Sequence, residues 1–170
     1  MGRRSTEEQI RQLAALPPDV LVKQIRMTHV FQAIGTTVVL AAISVYVFFV
    51  NGGEGIMPEE PGPDPAVITA VIAVAMALAG WVLSRPWRAA LVGTNPPTDR
   101  RDLAVRAQRA LLGLFVTEGG AITAAIAFLL GGGLGLFAMA LLTLALVLFQ
   151  RTDADRAADL ARHLEGDGNS

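Results

Sequence analysis

The sequence predicts an all-α polytopic membrane protein, four transmembrane helices arranged as two antiparallel hairpins with both termini on the cytoplasmic side. Three observations carry that prediction. The 170 residues are 52% hydrophobic and only 17% charged, with a mean hydropathy of +0.48, a balance unlike that of an ordinary soluble domain. Four apolar runs, at 30–50, 66–84, 110–130 and 133–150, approach the roughly 20 residues a helix needs to cross a bilayer. All fourteen Lys and Arg residues lie before the first run, between the second and third, or after the fourth. The intervening 51–65 loop and the triglycine turn carry none, which by the positive-inside rule places both termini and the 85–109 connection in the cytoplasm.

Residues 1–29 form a cytoplasmic N-terminal segment. Ser5-Thr6-Glu7-Glu8 has capping-box spacing and is expected to open an amphipathic helix carrying Ile10, Leu13 and Leu16 on one side. That helix is expected either on the membrane surface or as a frayed soluble tail. Pro17-Pro18 ends it, and Asp19 is expected to cap the next helix, which enters the membrane past Lys23 and Arg26.

The first span, 30–50, is too long for a signal-peptide core and reads as an uncleaved helix. Tyr46, Phe48 and Phe49 at its far end suit the water–lipid interface. The loop that follows, NGGEGIMPEEPGPDP, cannot continue a helix. In the second span Ala66, Ala70, Ala73, Ala77 and Gly80 recur every three or four residues, a small-residue stripe along which another helix can approach closely. Trp81 and Trp87 bracket its end, at the opposite interface. Thr98 or Asp99 is placed to cap the helix leading into the third span, and Asp102 and Arg106 form an i,i+4 pair on it. Gly131-Gly132-Gly133 turns the chain tightly into the fourth span. Residues 151–170 form a cytoplasmic tail.

Glu118 stands eight residues into the third span, about 12 Å along the axis and near the midplane of a hydrocarbon core roughly 30 Å thick. A carboxylate there costs several kcal/mol unless it is neutral, paired or facing water, which makes it the first candidate functional residue. Gln32, about 9 Å into the first span by the same rise, is its candidate partner. His29 lies one turn nearer the cytoplasm on the same side and could line a polar entry. Gly119 and Gly120 thin the helix beside the carboxyl, and Gly113, Thr117, Ala121 and Ala125 form a small-every-four ladder alongside. With Ala70 and Ala77 of the second span, Gly113, Gly119, Gly120 and Ala121 are the expected helix-packing residues.

Residues 100–165 resemble an uncharacterised group of small four-helix bacterial inner-membrane proteins. The likeness rests on Thr117-Glu118-Gly119-Gly120-Ala121, on Gln150-Arg151-Thr152 and on Ala158-Asp159-Leu160. It implies the four-helix architecture and a bacterial cytoplasmic membrane, and implies no activity.

The chain has no cysteine, which excludes disulfides, thiolate metal sites and cysteine nucleophiles. Its two histidines, His29 and His163, are far apart, and no nucleophile–base pair, metal-ligand spacing or cofactor fingerprint is present. The expectation is a non-enzymatic protein with no cofactor and no metal. Its partner is the lipid bilayer, with a second copy or another membrane protein beside it and no nucleic acid. Glu118 is either a buried packing lock or the exchanging group of a small proton- or cation-coupled transporter.

Overall fold

The computed structural model describes residues 2–57, 64–91, 93 and 97–149; the expected cytoplasmic tail at 151–170, with Gln150-Arg151-Thr152 and Ala158-Asp159-Leu160, lies outside them. Six α-helices follow in order: α1 (Gly2–Ala15), α2 (Pro18–Val45), α3 (Pro65–Leu83), α4 (Arg85–Leu91), α5 (Arg100–Gly131) and α6 (Gly133–Phe149). A π-helical turn, Tyr46–Val50, extends α2. No strand occurs among the described residues. Three helical stretches are long and apolar enough to cross a membrane, Asp19–Val50, Pro65–Ala90 and Arg100–Gly131, and α6 is a shorter apolar helix.

Local chemistry sets the boundaries. Pro17 breaks α1 from α2, and Pro18 occupies the first turn of α2, where a missing N–H costs nothing. Asp19 therefore sits inside that turn and is not its cap. Similarly α1 already runs from Gly2, so Ser5 lies within the helix and no capping box opens there. Asp64 caps α3 through Ala66 N (2.8 Å), and Asp99 caps α5 through Asp102 N (2.7 Å).

The helices do not pack as two hairpins. α5 touches α1, α2, α3, α4 and α6, and α6 touches α2 and α3, whereas α2 and α3 barely meet. The four long helices thus form a rhombus with α5 and α6 across its short diagonal. The reason lies on α3. Its buried stripe of Ala66, Ala70, Ala73, Ala77 and Gly80 admits α5 at close range and leaves α2 to pack on the far side of the α5–α6 pair. α1 docks on the bundle: Leu13 and Leu16 pack against the cluster around Leu21, Ile25, Trp87 and Leu103, and Gln108 Nε2 donates to Gln9 Oε1 (3.3 Å).

At the far end, the loop after α2 closes over the α5–α6 turn. Ile56 N and Met57 N donate to the carbonyls of Leu129 and Leu130 (3.0 and 3.1 Å), and Gly133 N donates to Gly53 O (3.0 Å). Gly132 (φ +64°) and Gly133 (φ +76°) make the turn, and a Cβ on Gly132 would strike Glu54 and Gly55. Phe48 faces inward, tilted against Phe128 and edge-on to Phe137 at ring-centre distances of 5.5 and 5.3 Å; of the aromatics expected at the interface, Phe49 is fully on the outside. Asn51 Nδ2 holds the loop by donating to Glu54 O and Gly55 O, both at 2.9 Å. Asn51→Ala is expected to lose both bonds at a cost of about 1–2 kcal/mol, read as faster proteolysis of the 51–57 segment and a lower thermal midpoint.

Candidate functional site: a polar layer between two apolar cores

Two separate clusters of buried apolar residues stand out among the described residues. One, toward the N-terminal ends of α2 and α5, contains Leu21, Val22, Ile25, Trp87, Leu103, Ala107, Ala110 and Leu114. The other contains Leu40, Val47, Ala73, Ala124, Ala125, Phe128 and Ala140. Between Ile25 and Leu40 on α2, between Leu114 and Ala124 on α5, and beyond Ala140 on α6, polar side chains enter the interior beside buried Gly120, Ala121 and Val147. They are His29, Gln32 and Thr36, then Thr117 and Glu118, then Thr143.

On α2 the spacing of three and four residues from His29 to Gln32 to Thr36 puts all three on one helical face, and all three are buried. His29 Nε2 lies 2.7 Å from the carbonyl oxygen of Val147 on α6. A carbonyl only accepts, so Nε2 carries the proton in this bond and the ring acts as a fixed donor. His29 thereby ties the middle of α2 to the end of α6, and the two helices run antiparallel. Thr117 and Thr143 return their hydroxyls to their own helices, at Gly113 O (2.8 Å) and Ala140 O (2.9 Å).

Gln32 differs. Only 7% exposed, it finds no hydrogen-bond partner of regular geometry for either amide atom, and the Thr36 hydroxyl, 2% exposed, is equally unpartnered. The Glu118 carboxyl on α5 lies near enough to act on the Gln32 amide. Glu118 is half-buried, at a seam beside the outward-facing Leu112, Phe115 and Ile126. A groove of about 880 Å³ between α1, α2 and α5 follows α5 from Val105 to Phe115, one turn short of Glu118.

The expected packing residues lie where α3 meets α5. A Cβ on Gly120 would lie 2.7 Å from Ala73 O and 2.8 Å from Ala77 N, and one on Gly113 would lie 2.6 Å from Gly80 O. Ala77 is buried in the same interface, and Ala70 and Ala121 are buried as well. Gly119 is looser, facing only the end of the Met76 side chain at 3.0 Å. The structure thus brings Gln32 to Glu118 and sends His29 to α6 instead. Thr36 and Thr143 escaped the sequence reading; the step of four from Gln32 to Thr36 was the available signal. Among the described residues, no three His, Asp or Glu side chains converge as a metal site. Comparison with protein-family models, curated protein sequences and solved structures finds no match for the chain.

Proposed function

We propose that the chain is a four-span protein of a bacterial cytoplasmic membrane, kin to the uncharacterised group it resembles. In this reading both termini and the 85–109 connection are inside. It serves as a structural or partner-binding membrane subunit without catalytic activity, and Glu118 and Gln32 lock α5 to α2. Three helices meet the length and composition of a span. The fourth, α6, has 17 described residues, about 26 Å of apolar helix, short of a full crossing by a few ångströms that thinning or flanking residues absorb.

One observation carries the lock: a buried amide with both atoms unpartnered sits beside a carboxyl on the neighbouring helix. A neutral carboxylic acid has one O–H donor and one carbonyl acceptor, so it satisfies both atoms of the amide at once. An ionised carboxylate satisfies only the N–H and leaves Gln32 Oε1 bare. The small-residue contact of α3 with α5 supports the same reading, since it fixes α5 as the rigid centre on which α2 is held.

The unpartnered Thr36 hydroxyl favours a second reading, in which Glu118 exchanges a proton or small cation in a transport step. Liposomes carrying the purified protein separate the two. With a lock, an imposed pH or sodium gradient decays as slowly as in empty liposomes. A protein-dependent decay that Glu118→Gln abolishes would transfer the assignment to transport. Because the chain has no cysteine, orientation is read from single substitutions. Glu54→Cys is expected to react with an impermeant maleimide on intact cells, and Thr98→Cys only after lysis; the reverse pattern overturns the topology.

A further inference from the structure

Two arginines share one tryptophan at the end of the second apolar helix. Trp81, Arg85 and Arg88 are spaced by four and three residues, and Ser84 between them keeps right-handed helical dihedrals (φ −82°, ψ −7°), so all three side chains emerge on one face. The guanidinium carbons of Arg85 and Arg88 lie 4.5 and 4.6 Å from the centre of the Trp81 ring, within cation–π range. Arg88 also donates from a terminal nitrogen to the Trp81 carbonyl (2.7 Å). Trp81 and Arg88 are half-buried and Arg85 is exposed.

Among the described residues this charge has no carboxylate counterweight. The nearby acids of the following segment are already engaged: Asp99 caps α5, and Asp102 accepts from Arg106 Nε (3.0 Å), from its terminal nitrogen (2.7 Å) and from Thr98 N (3.2 Å). Two like charges held on one ring repel each other, and an anion between them removes that cost. The guanidinium fork suits phosphate oxygens in particular.

The location selects the source of the anion. The apolar stripe of α3 ends at Leu83, and tryptophan rings favour the headgroup level of a bilayer. We propose that Trp81, Arg85 and Arg88 form a binding site for the headgroup phosphate of an anionic phospholipid. The site rests on the reading of α3 as a membrane span and not on the orientation or on the Glu118 lock.

The test measures lipid binding to the full chain in neutral detergent, by native mass spectrometry, with phosphatidylglycerol and phosphatidylcholine as probes. Detergent micelles have no sides, so the result is independent of topology. Phosphatidylglycerol is expected to bind more tightly, and each arginine to be worth about fivefold. Arg85→Gln should weaken phosphatidylglycerol about fivefold, and the Arg85→Gln/Arg88→Gln pair about 25-fold, with phosphatidylcholine unchanged. Because Arg88 also holds the Trp81 carbonyl, the exposed Arg85 carries the test if the double variant fails to fold. Arg100→Gln/Arg101→Gln removes the same charge from exposed positions at the start of α5 and is expected to leave the preference intact. Equal binding of the two lipids, or an equal loss in the Arg100/Arg101 variant, would overturn the site. Displacement of the lipid by inorganic phosphate at comparable concentration would overturn the lipid as its ligand.

Discussion

Gly120→Leu is expected to separate α3 from α5 and to cost at least about 3 kcal/mol, enough to leave a small membrane protein largely unfolded in detergent. The argument is steric. A single Cβ at this position already falls 2.7 Å from the Ala73 carbonyl oxygen and 2.8 Å from the Ala77 nitrogen. Both are backbone atoms, so neither can rotate away. Gly120→Ala should cost about 1–3 kcal/mol for the same reason, and Gly80→Ala, which would press on Gly113 O and Thr117, should behave alike. The control is Gly35→Ala on α2, where no atom lies within 4 Å and the helix gains about 1 kcal/mol from the loss of a glycine. Thermal unfolding in detergent should therefore move in opposite directions for two Gly→Ala changes in neighbouring helices. Equal effects at Gly120 and Gly35 would mean that α3 and α5 are not in close contact.

Glu118→Leu is expected to cost about 1–2 kcal/mol even though it replaces a carboxyl with an apolar side chain inside an apolar span. The loss falls on Gln32, whose buried amide loses the carboxyl beside it. Membrane hydrogen bonds measured by pairwise substitution are worth less than intuition suggests, which keeps the figure near the lower end. Glu118→Gln should stay within about 0.5 kcal/mol of the original chain, because one amide supplies the same donor and acceptor to another. Changing Glu118 and Gln32 to leucine together removes both polar groups and should recover most of the loss.

Much of the architecture was legible because it depends on short-range pattern. Apolar run length marked the three helices long enough to span, the Ala66-to-Gly80 spacing marked the α3 face that meets α5, and Asp99 was one of two residues placed to cap α5. Glu118 stood out because it is the one ionisable residue in its span. Partner choice was not legible in the same way. Lipid and protein interior are equally apolar, so hydrophobic periodicity does not say which face of a membrane helix meets which neighbour. Hence the expected α2–α3 hairpin gives way to an α5–α6 centre, and His29, read as an entry residue, proves to be bonded to the Val147 carbonyl on α6. The hydrogen bonds of the 53–57 loop to residues 129–133 run through backbone atoms, which every residue carries, so no side-chain signal announced them. Trp87 was expected at the interface and is buried instead at 2% exposure, because α4 folds its indole under α5.

The coupling between Glu118 and Gln32 tests the central claim most directly. Unfolding free energies of the original chain, Glu118→Leu, Gln32→Leu and the double variant close a thermodynamic cycle. A lock that joins α5 to α2 predicts that the double variant is more stable than the sum of the single losses allows, by about 1 kcal/mol. Losses that add to within about 0.3 kcal/mol would mean that the two side chains do not interact, and the polar layer would then be no lock.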